Sequence, residues 1–338
     1  MPSTKLTDAA AACYAALLRR RGAAFDSGRR PAARLAGAVV SIGNLSLGGT
    51  AKTPATILLG GELRRRGFRV DVLSRGYRRR TRGLAIAESG AAPTALVGDE
   101  PRLIARRLGA PVLVARRRAV AGREAERRYH TNLHLLDDGF QHRQLARDFD
   151  LVLLDPSDLD DRLLPAGRLR EPPAALARAS AVTLLCEPDA RQAERNALIE
   201  RVRRWTPAPV FFAHKRLLAP APPDSPAVAF CALARPQSFF TGLQRAGWQL
   251  LEAVAFRDHH AYTRRDLRRL RQLMLRHCAV LATTEKDAMN LPADHCLSAL
   301  QVIPMELEIE ELEALVELIA AAARRRLALA EYEAEAGA

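Results

Sequence analysis

Apolar positions along the chain gather into short runs separated by amphipathic stretches. Gly37-Ala38-Val39-Val40-Ser41-Ile42 predicts a short strand with the β-branched pair Val39 and Val40 at its centre. A helical stretch from about Ala55 to Arg66 follows, then a strand over Arg69 to Leu73 and a helix over Pro101 to Leu108. Leu133 to Leu136, Leu151 to Leu154 and Ala181 to Cys186 are short apolar runs that each end near an acidic residue or a turn. Strands alternating with helices indicate an α/β fold with a doubly wound, mostly parallel sheet. The proline-rich stretch Pro207 to Pro226 interrupts this rhythm and reads as a hinge. Beyond it the pattern gives a strand (Ala227 to Cys231), a helix (Gln237 to Arg245) and a strand around Leu250 to Phe256. A helix (Arg265 to Arg276), a strand (Ala279 to Thr283) and a long helix from Ile309 to about Leu329 complete it. The expected organisation is an N-terminal amphipathic, basic segment (1–36), a larger α/β domain (37–206), the hinge (207–226) and a smaller C-terminal α/β domain (227–338).

In the N-terminal segment Leu6, Ala10, Cys13, Tyr14 and Leu17 fall on one face of a helix, and Arg19-Arg20-Arg21 follow. The apolar run Ala9 to Leu18 is shorter than the ~18 residues a membrane span needs. Such a helix either packs on its own domain or lies in the interface of an anionic bilayer. Over 338 residues, enough for about two domains of ~150, 52 Lys+Arg oppose 38 Asp+Glu, a net charge of +14 that favours an anionic partner. Only Lys5, Lys52, Lys215 and Lys286 are lysine, and the other 48 basic residues are arginine. The clusters Arg64 to Arg66, Arg78 to Arg80 with Arg82, and Arg116 to Arg118 read most simply as solvated surface. Those near Tyr77 and Arg118 also have the charge to face a substrate phosphate. Five widely spaced cysteines with no CxxC pair argue against a disulfide framework or a zinc site, and fit a reducing compartment.

Ser46-Leu47-Gly48-Gly49-Thr50-Ala51-Lys52-Thr53 joins a predicted strand to a predicted helix. This is the arrangement in which backbone N–H groups and a helix N-terminus cradle phosphates, with lysine on the β/γ oxygens and a threonine hydroxyl on magnesium. The match to G-x-x-x-x-G-K-[ST] is imperfect, since Ser46 and Ala51 stand at the glycine positions. In a chain so biased to arginine, a lysine kept in this loop supports the phosphate reading, because a compact ammonium fits where a guanidinium fork does not. Asp137-Asp138-Gly139-Phe140-Gln141-His142 follows an apolar strand, the place of a Walker-B-like carboxylate. Gly98-Asp99-Glu100-Pro101 sets two carboxylates before a helix, as functional groups or as an N-cap. Asp258-His259-His260 pairs histidine with aspartate, either for proton transfer or as a polar turn.

Taken in order, these pieces resemble the tetraacyldisaccharide 4'-kinase (lipid A 4'-kinase) family. The resemblance runs from Ser41-Ile42-Gly43-Asn44-Leu45 and the Gly48-to-Pro54 loop through Ser74-Arg75-Gly76-Tyr77 and Gly98-Asp99-Glu100-Pro101 to Asp137-to-His142. It continues through Leu164-to-Pro172, Phe256-to-His260 and Thr283-Thr284-Glu285-Lys286-Asp287, covering roughly Val40 to Leu291. The resemblance implies a P-loop kinase domain that uses ATP and Mg²⁺. The reaction it implies moves the γ-phosphoryl group to the 4'-hydroxyl of a tetraacylated glucosamine disaccharide 1-phosphate. It makes Asp99 and His259 the dyad that removes the hydroxyl proton and Lys52 the group that neutralises the transferring phosphoryl. Thr53, Asp138 and Glu100 would hold or orient the metal, and Arg170 and Glu171 would be substrate-side or closure residues. With Asp99 and His259 on different domains, closure through 207–226 would assemble the dyad. The implied location is peripheral, on the cytoplasmic face of a Gram-negative inner membrane, with an anionic membrane surface as partner.

Two features depart from the family pattern: Ala51 replaces the usual glycine before lysine, and the N-terminal apolar helix is short. Two other readings remain at this point. A nucleic-acid-binding P-loop ATPase would use the net charge, but aromatics are only 5% and no nucleic-acid module is present, so no nucleic-acid partner is expected. A catalytically silent nucleotide-binding regulator is the other, prompted by Ala51.

Overall fold

The computed structural model describes residues 4–336 apart from 49–50, 77–78, 80–81, 89–92, 259, 293–294 and 296. The chain opens with helix α1 (Thr4–Asp26) and then enters the sheet with β1 (Ala38–Gly43). There follow α2 (Lys52–Arg65), β2 (Val70–Ser74), β3 (Ala85–Ala87), α3 (Thr94–Val97), α4 (Asp99–Leu108), β4 (Val112–Val114) and α5 (Arg118–Tyr129). β5 (Leu133–Asp137), β6 (Phe149–Leu154), β7 (Ala181–Leu185), α6 (Gln192–Arg203) and β8 (Val210–Leu217) complete the first part of the chain. The remainder is β9 (Ala227–Cys231), α7 (Pro236–Arg245), β10 (Leu250–Ala255), α8 (Arg264–Arg276), β11 (Val280–Thr284), α9 (Glu285–Ala288), β12 (Leu300–Ile303), β13 (Met305–Ile309) and α10 (Leu312–Ala336).

A nine-stranded sheet has the order β13-β8-β7-β6-β1-β5-β2-β4-β3, and its interior pairs are parallel, with β13 and β3 antiparallel at the two edges. β1 lies at its centre between β5 and β6, and every residue of β1 is buried. Its side chains alternate between two layers. Ala38, Val40 and Ile42 pack with Ala55, Leu59 and Leu63 of α2, whereas Val39 joins Ala121 and Ala125 of α5. A second, four-stranded parallel sheet runs β10-β9-β11-β12. Leu270 and Met274 of α8 cover one face of it, and Phe239, Phe240 and Leu243 of α7 cover the other.

The stretch expected as one C-terminal unit, 227–338, is divided between the sheets. β13 leaves the second sheet and pairs antiparallel with β8, and α10 lays Leu315, Val316, Ile319, Ala320 and Ala323 into the core under β1. Burial decides this: the apolar stripe of α10 fills the face of the large sheet beside α2. Within the expected hinge 207–226, Val210–Leu217 is strand β8, hydrogen-bonded to β7 and β13. The connectors that cross between the sheets touch each other, with Leu218 N donating to Pro304 O at 2.9 Å.

Near the N-terminal ends of the central strands sits a buried charged triad. His134 Nδ1 lies 2.7 Å from Asp71 Oδ2, which also accepts from Thr131 Oγ1 at 2.8 Å. His134 Nε2 lies 3.3 Å from Glu126 Oε1, which accepts the Gly37 N–H at 2.8 Å. Gly37 is needed here because a Cβ would come within 2.7 Å of His134 Nε2. Burial works against charge on His134, but the Asp71 and Glu126 carboxylates outweigh it and raise its pKa from 6.5 to about 9. A histidine raised on folding contributes stability that is fully present below its ordinary value and is lost as pH rises through about 9. Thermal unfolding followed from pH 6 to pH 10 should therefore show a falling midpoint over the upper part of that range. His134→Ala should flatten this dependence and cost about 3–5 kcal/mol, since Asp71 would be left buried without its cation. A pH profile identical to the parent would rule out a charged His134.

Candidate active site

Parallel strands aim their C-terminal ends at one edge of the sheet, and ligands of open α/β folds bind where the strand order reverses direction. Here that point is the end of β1. Its last residue must be glycine, because a Cβ at Gly43 would meet Phe140 Cβ at 2.6 Å, and the turn after β5 crosses there. Asn44 is buried next to it, with Nδ2 donating to Ser46 O at 2.9 Å and Oδ1 accepting from Lys52 Nζ at 3.0 Å. The loop is braced from below: Leu47 N donates to Arg168 O at 2.8 Å, and Arg170 N to Leu45 O at 2.7 Å. Ser46 is buried, while Leu47 and Gly48 are exposed. Gly49 and Thr50 lie outside the described residues. Ala51, at the N-cap of α2, adopts φ 56° and ψ 27°. Lys52 and Thr53 then open α2, where free N–H groups and the helix dipole favour an anion.

Across from Lys52, β5 delivers Asp137 and Asp138. Asp138 has φ 52° and accepts both Arg170 Nη1 (2.8 Å) and Nη2 (2.7 Å), with Lys52 Nζ at 3.5 Å. Desolvation works against its charge, yet Lys52 and Arg170 outweigh it and hold this carboxyl well below the usual range. Asp137, fully within the strand end, goes the other way: burial first, then Glu100 and Asp138, push it up to about 7. Ser74 Oγ at the end of β2 donates to Asp137 Oδ2 at 3.4 Å. Arg118 does not belong to a solvated cluster. It is buried at the start of α5, with Nη1 3.3 Å from His142 Nδ1. Burial lowers Arg118 to about 10, and burial together with Arg118 lowers His142 to about 3, so His142 is a neutral imidazole at ordinary pH.

Asp99 is the first residue of α4, after Gly98 with φ 98°. Gly98 holds the N-cap position, so Asp99 does not serve as that cap. Its Oδ1 accepts the Glu100 N–H at 3.0 Å and its Oδ2 accepts Asn290 Nδ2 at 3.3 Å. Glu100 Oε1 lies 3.4 Å from Lys286 Nζ, which is 3.8 Å from Asp258 Oδ1. His259 and Tyr77 lie outside the described residues. Beside His259, His260 stacks on Phe256 at 4.9 Å and reaches Asp266 at 2.9 Å, a contact that builds the start of α8. Of the two residues expected near substrate, Arg170 grips Asp138 and Asn44, and Glu171 is buried against Arg178, whose guanidinium covers the Phe140 ring at 4.4 Å. The phosphate loop, Asp138, Glu100 and Asp99 are thus brought to one edge.

Neither Asn44 nor Asn290 carries a sequence signal for the role its contacts give it. Asn44 stands inside a quoted motif but is an uncharged residue in an apolar neighbourhood, and Asn290 lies far from any motif that bonds it. Lys286 did carry a signal, as one of four lysines. Among the described residues no three His, Cys, Asp or Glu side chains converge as a metal cage. The oxygen donors of Thr53, Asp138 and Glu100 suit a hard cation such as Mg²⁺ when phosphate oxygens and water complete its shell. No helix among the described residues is long and apolar enough to cross a membrane.

A lysine at the N-terminus of the helix after the central strand, facing a carboxylate from the end of the neighbouring strand, marks a P-loop-type nucleotide-binding fold. Residues 4–324 match the family model of LpxK, tetraacyldisaccharide-1-P 4'-kinase. A tetraacyldisaccharide 4'-kinase of Koribacter versatilis is 41% identical over 325 residues, covering 93% of this chain and 98% of that one. One from Anaeromyxobacter dehalogenans is 41% identical over 324 residues, covering 89% and 85%. The crystal structure of LpxK from Aquifex aeolicus in complex with ATP is similar at a TM-score of 0.74 and 30% identity, covering 93% of this chain and 97% of that one. The chain belongs to the tetraacyldisaccharide 4'-kinase family, the kinases of lipid A biosynthesis. That membership favours the kinase over the nucleic-acid-binding ATPase.

A left-handed conformation costs an L-residue roughly 1–2 kcal/mol, partly offset by the extra chain entropy glycine loses on folding. Ala51→Gly should therefore stabilise the protein by about 0.5–1 kcal/mol, read from denaturant midpoints. An unchanged or lower midpoint would show that the loop holds Ala51 without strain.

Proposed function

We propose that the protein transfers the γ-phosphoryl group of ATP to the 4'-hydroxyl of an acylated glucosamine disaccharide 1-phosphate. The observation that carries this reading is the edge where Lys52, Asp138 and Glu100 stand together with Asp99 at the N-terminus of α4. Phosphoryl transfer needs little covalent chemistry from the protein and depends on positioning and charge neutralisation. The phosphate loop and the α2 N-terminus bind the nucleotide phosphates through backbone N–H groups, and Lys52 neutralises the charge that develops on the transferring group. Thr53 and Asp138, with Glu100 beside them, would hold Mg²⁺, which supplies further charge neutralisation when bound. Asp99, with His259, takes the proton from the sugar hydroxyl. The Asn290 bond to Asp99 supports this assignment, since it ties the base to the connection between β11 and β12 of the second sheet. Closure of the second sheet over α4, about the connectors that include 218–226, assembles the pair and excludes water.

For attachment we infer a peripheral location at an anionic membrane, on the cytoplasmic face where ATP is present. The support is α1, where Leu6 and Leu17 are 65% and 64% exposed and Arg19 to Arg21 follow on the same helix. Tyr14 Oη donates to Arg170 O at 3.0 Å, which links this helix to the segment bracing the phosphate loop.

Purified protein incubated with labelled ATP and tetraacyldisaccharide 1-phosphate in detergent should yield product labelled at the 4'-oxygen, located by mass spectrometry. Asp99→Ala and His259→Ala should each lower turnover by about 10²–10⁴-fold, the usual reach of general acid–base catalysis, with ATP affinity nearly unchanged. Label at another position, or near-normal turnover in both variants, would overturn the reading.

A further inference from the structure

The turn Thr284 to Asn290 has two faces. Asp287 points back into the second sheet's own core, where it accepts from Ala232 N (3.0 Å), Tyr262 Oη (2.9 Å) and Thr284 Oγ1 (2.6 Å) and is 1% exposed. Glu285, Lys286, Met289 and Asn290 reach the other way, to α3 and α4 beside the large sheet. Glu285 Oε2 accepts Arg107 Nη1 at 2.9 Å, and Lys286 Nζ lies 3.4 Å from Glu100 Oε1. Thr94 Oγ1 and Arg102 Nη1 donate to Met289 O at 3.4 and 3.5 Å, and Asn290 Nδ2 donates to Asp99 Oδ2 at 3.3 Å. One buried aspartate therefore anchors the turn in one unit while the residues around it grip the full length of a helix in the other.

Lys286 is the cation that the turn contributes to this clasp. It is largely buried, and the carboxylates facing it are Glu100 and Asp99 of α4, Asp258 of the loop after β10 and Asp287 of its own turn. Glu100 and Asp258 come from different units, so the ammonium sits at their seam; in sequence, Glu100 adjoins Asp99 and Asp258 adjoins His259. A pair of carboxylates on opposing elements repel when brought together, and a cation between them removes that cost.

We infer that Lys286 and Asn290 are positioning residues for phosphoryl transfer: by bridging Glu100 to Asp258 and by bonding Asp99, they orient the Asp99 carboxylate only when the second sheet is seated on α4. The inference rests on the assignment of Asp99 as the base. Seating and base orientation then become one event, because the same turn performs both. A base misplaced by about 1 Å costs on the order of 10²-fold in rate while substrate binding, made elsewhere, is spared.

The test is a double-mutant cycle on the full-length protein with Mg-ATP and tetraacyldisaccharide 1-phosphate in detergent micelles. Lys286→Met should lower kcat by about 10- to 100-fold with KM for ATP within about threefold of the parent, and Lys286→Arg should recover a large part of the loss. Asn290→Ala should shift kcat in the same direction by a smaller factor. In an Asp99→Asn background Lys286→Met should have little further effect, since residues acting through one group are not additive. A kcat within twofold of the parent in Lys286→Met overturns the inference. So does an equal loss in the parent and Asp99→Asn backgrounds, which would mean that the clasp only holds the fold. Asp99→Asn turning over normally would instead sink the base assignment itself. Should Lys286→Met prove unfolded by circular dichroism, Lys286→Arg and Asn290→Ala carried through the same cycle give the decision.

Discussion

The site depends on one carboxylate, Asp138, held ionised between two cations. Arg170 meets it with both terminal nitrogens and Lys52 approaches from the start of α2. Fork geometry fixes the guanidinium in orientation as well as in distance, so Arg170 places its own backbone, and that backbone in turn bonds Leu45 of the phosphate loop. Asn44 closes the circuit by accepting from Lys52 and Arg170 through one oxygen. The lysine that a nucleotide would use is thus already aimed, and the arginine is its counterweight. Arg170 holds Asp138 through two hydrogen bonds of its own, independently of where Lys52 points.

The two neighbouring aspartates show how environment separates identical side chains. Asp137 ends β5 inside the core and is driven towards the neutral form, while Asp138, one residue on and turned out by a positive φ, stays anionic. The turn that divides them also requires Gly43 to be bare, since Phe140 crosses there. Strand, glycine and acidic pair are consequently a single packing solution.

Much of this was legible in the sequence. β1 and its loop could be read because a fully buried central strand is a continuous apolar run and the glycines and lysine follow it at once. The strand ends at Leu136 and the helix after Gly98 were visible for similar reasons. The remaining elements carry weak local signals. β8 lies between prolines, so its run Val210 to Ala213 reads locally as part of a hinge, and pairing on both sides overrides that local chemistry. β13 is five residues with Glu306 and Glu308 alternating into solvent, and it leads directly to an acidic helix start. α5 and α6 are so rich in arginine and glutamate that the apolar signal is weak: α5 buries only the small Ala121, Gly122 and Ala125 beside Arg118, and α6 only Val202. At the site, the roles of Asn44, Asn290 and Lys286 are set by partners distant in sequence, such as Glu100 at a separation of 186 residues, which no spacing rule reaches.

The return of β13 and α10 to the large sheet has a meaning for how the chain is made. Leu315, Val316, Ile319 and Ala323 fill the core under the very strand that carries the phosphate loop. On the ribosome, β1 emerges early and its packing partner last, with the whole second sheet synthesised between them. The large unit therefore stays incomplete while the small one can already fold, and its closing contacts span nearly the full length of the chain, a long-range closure that slows folding. The core beneath this strand is complete only with the C-terminal helix, so a prematurely terminated chain carries the loop sequence without the packing that supports it.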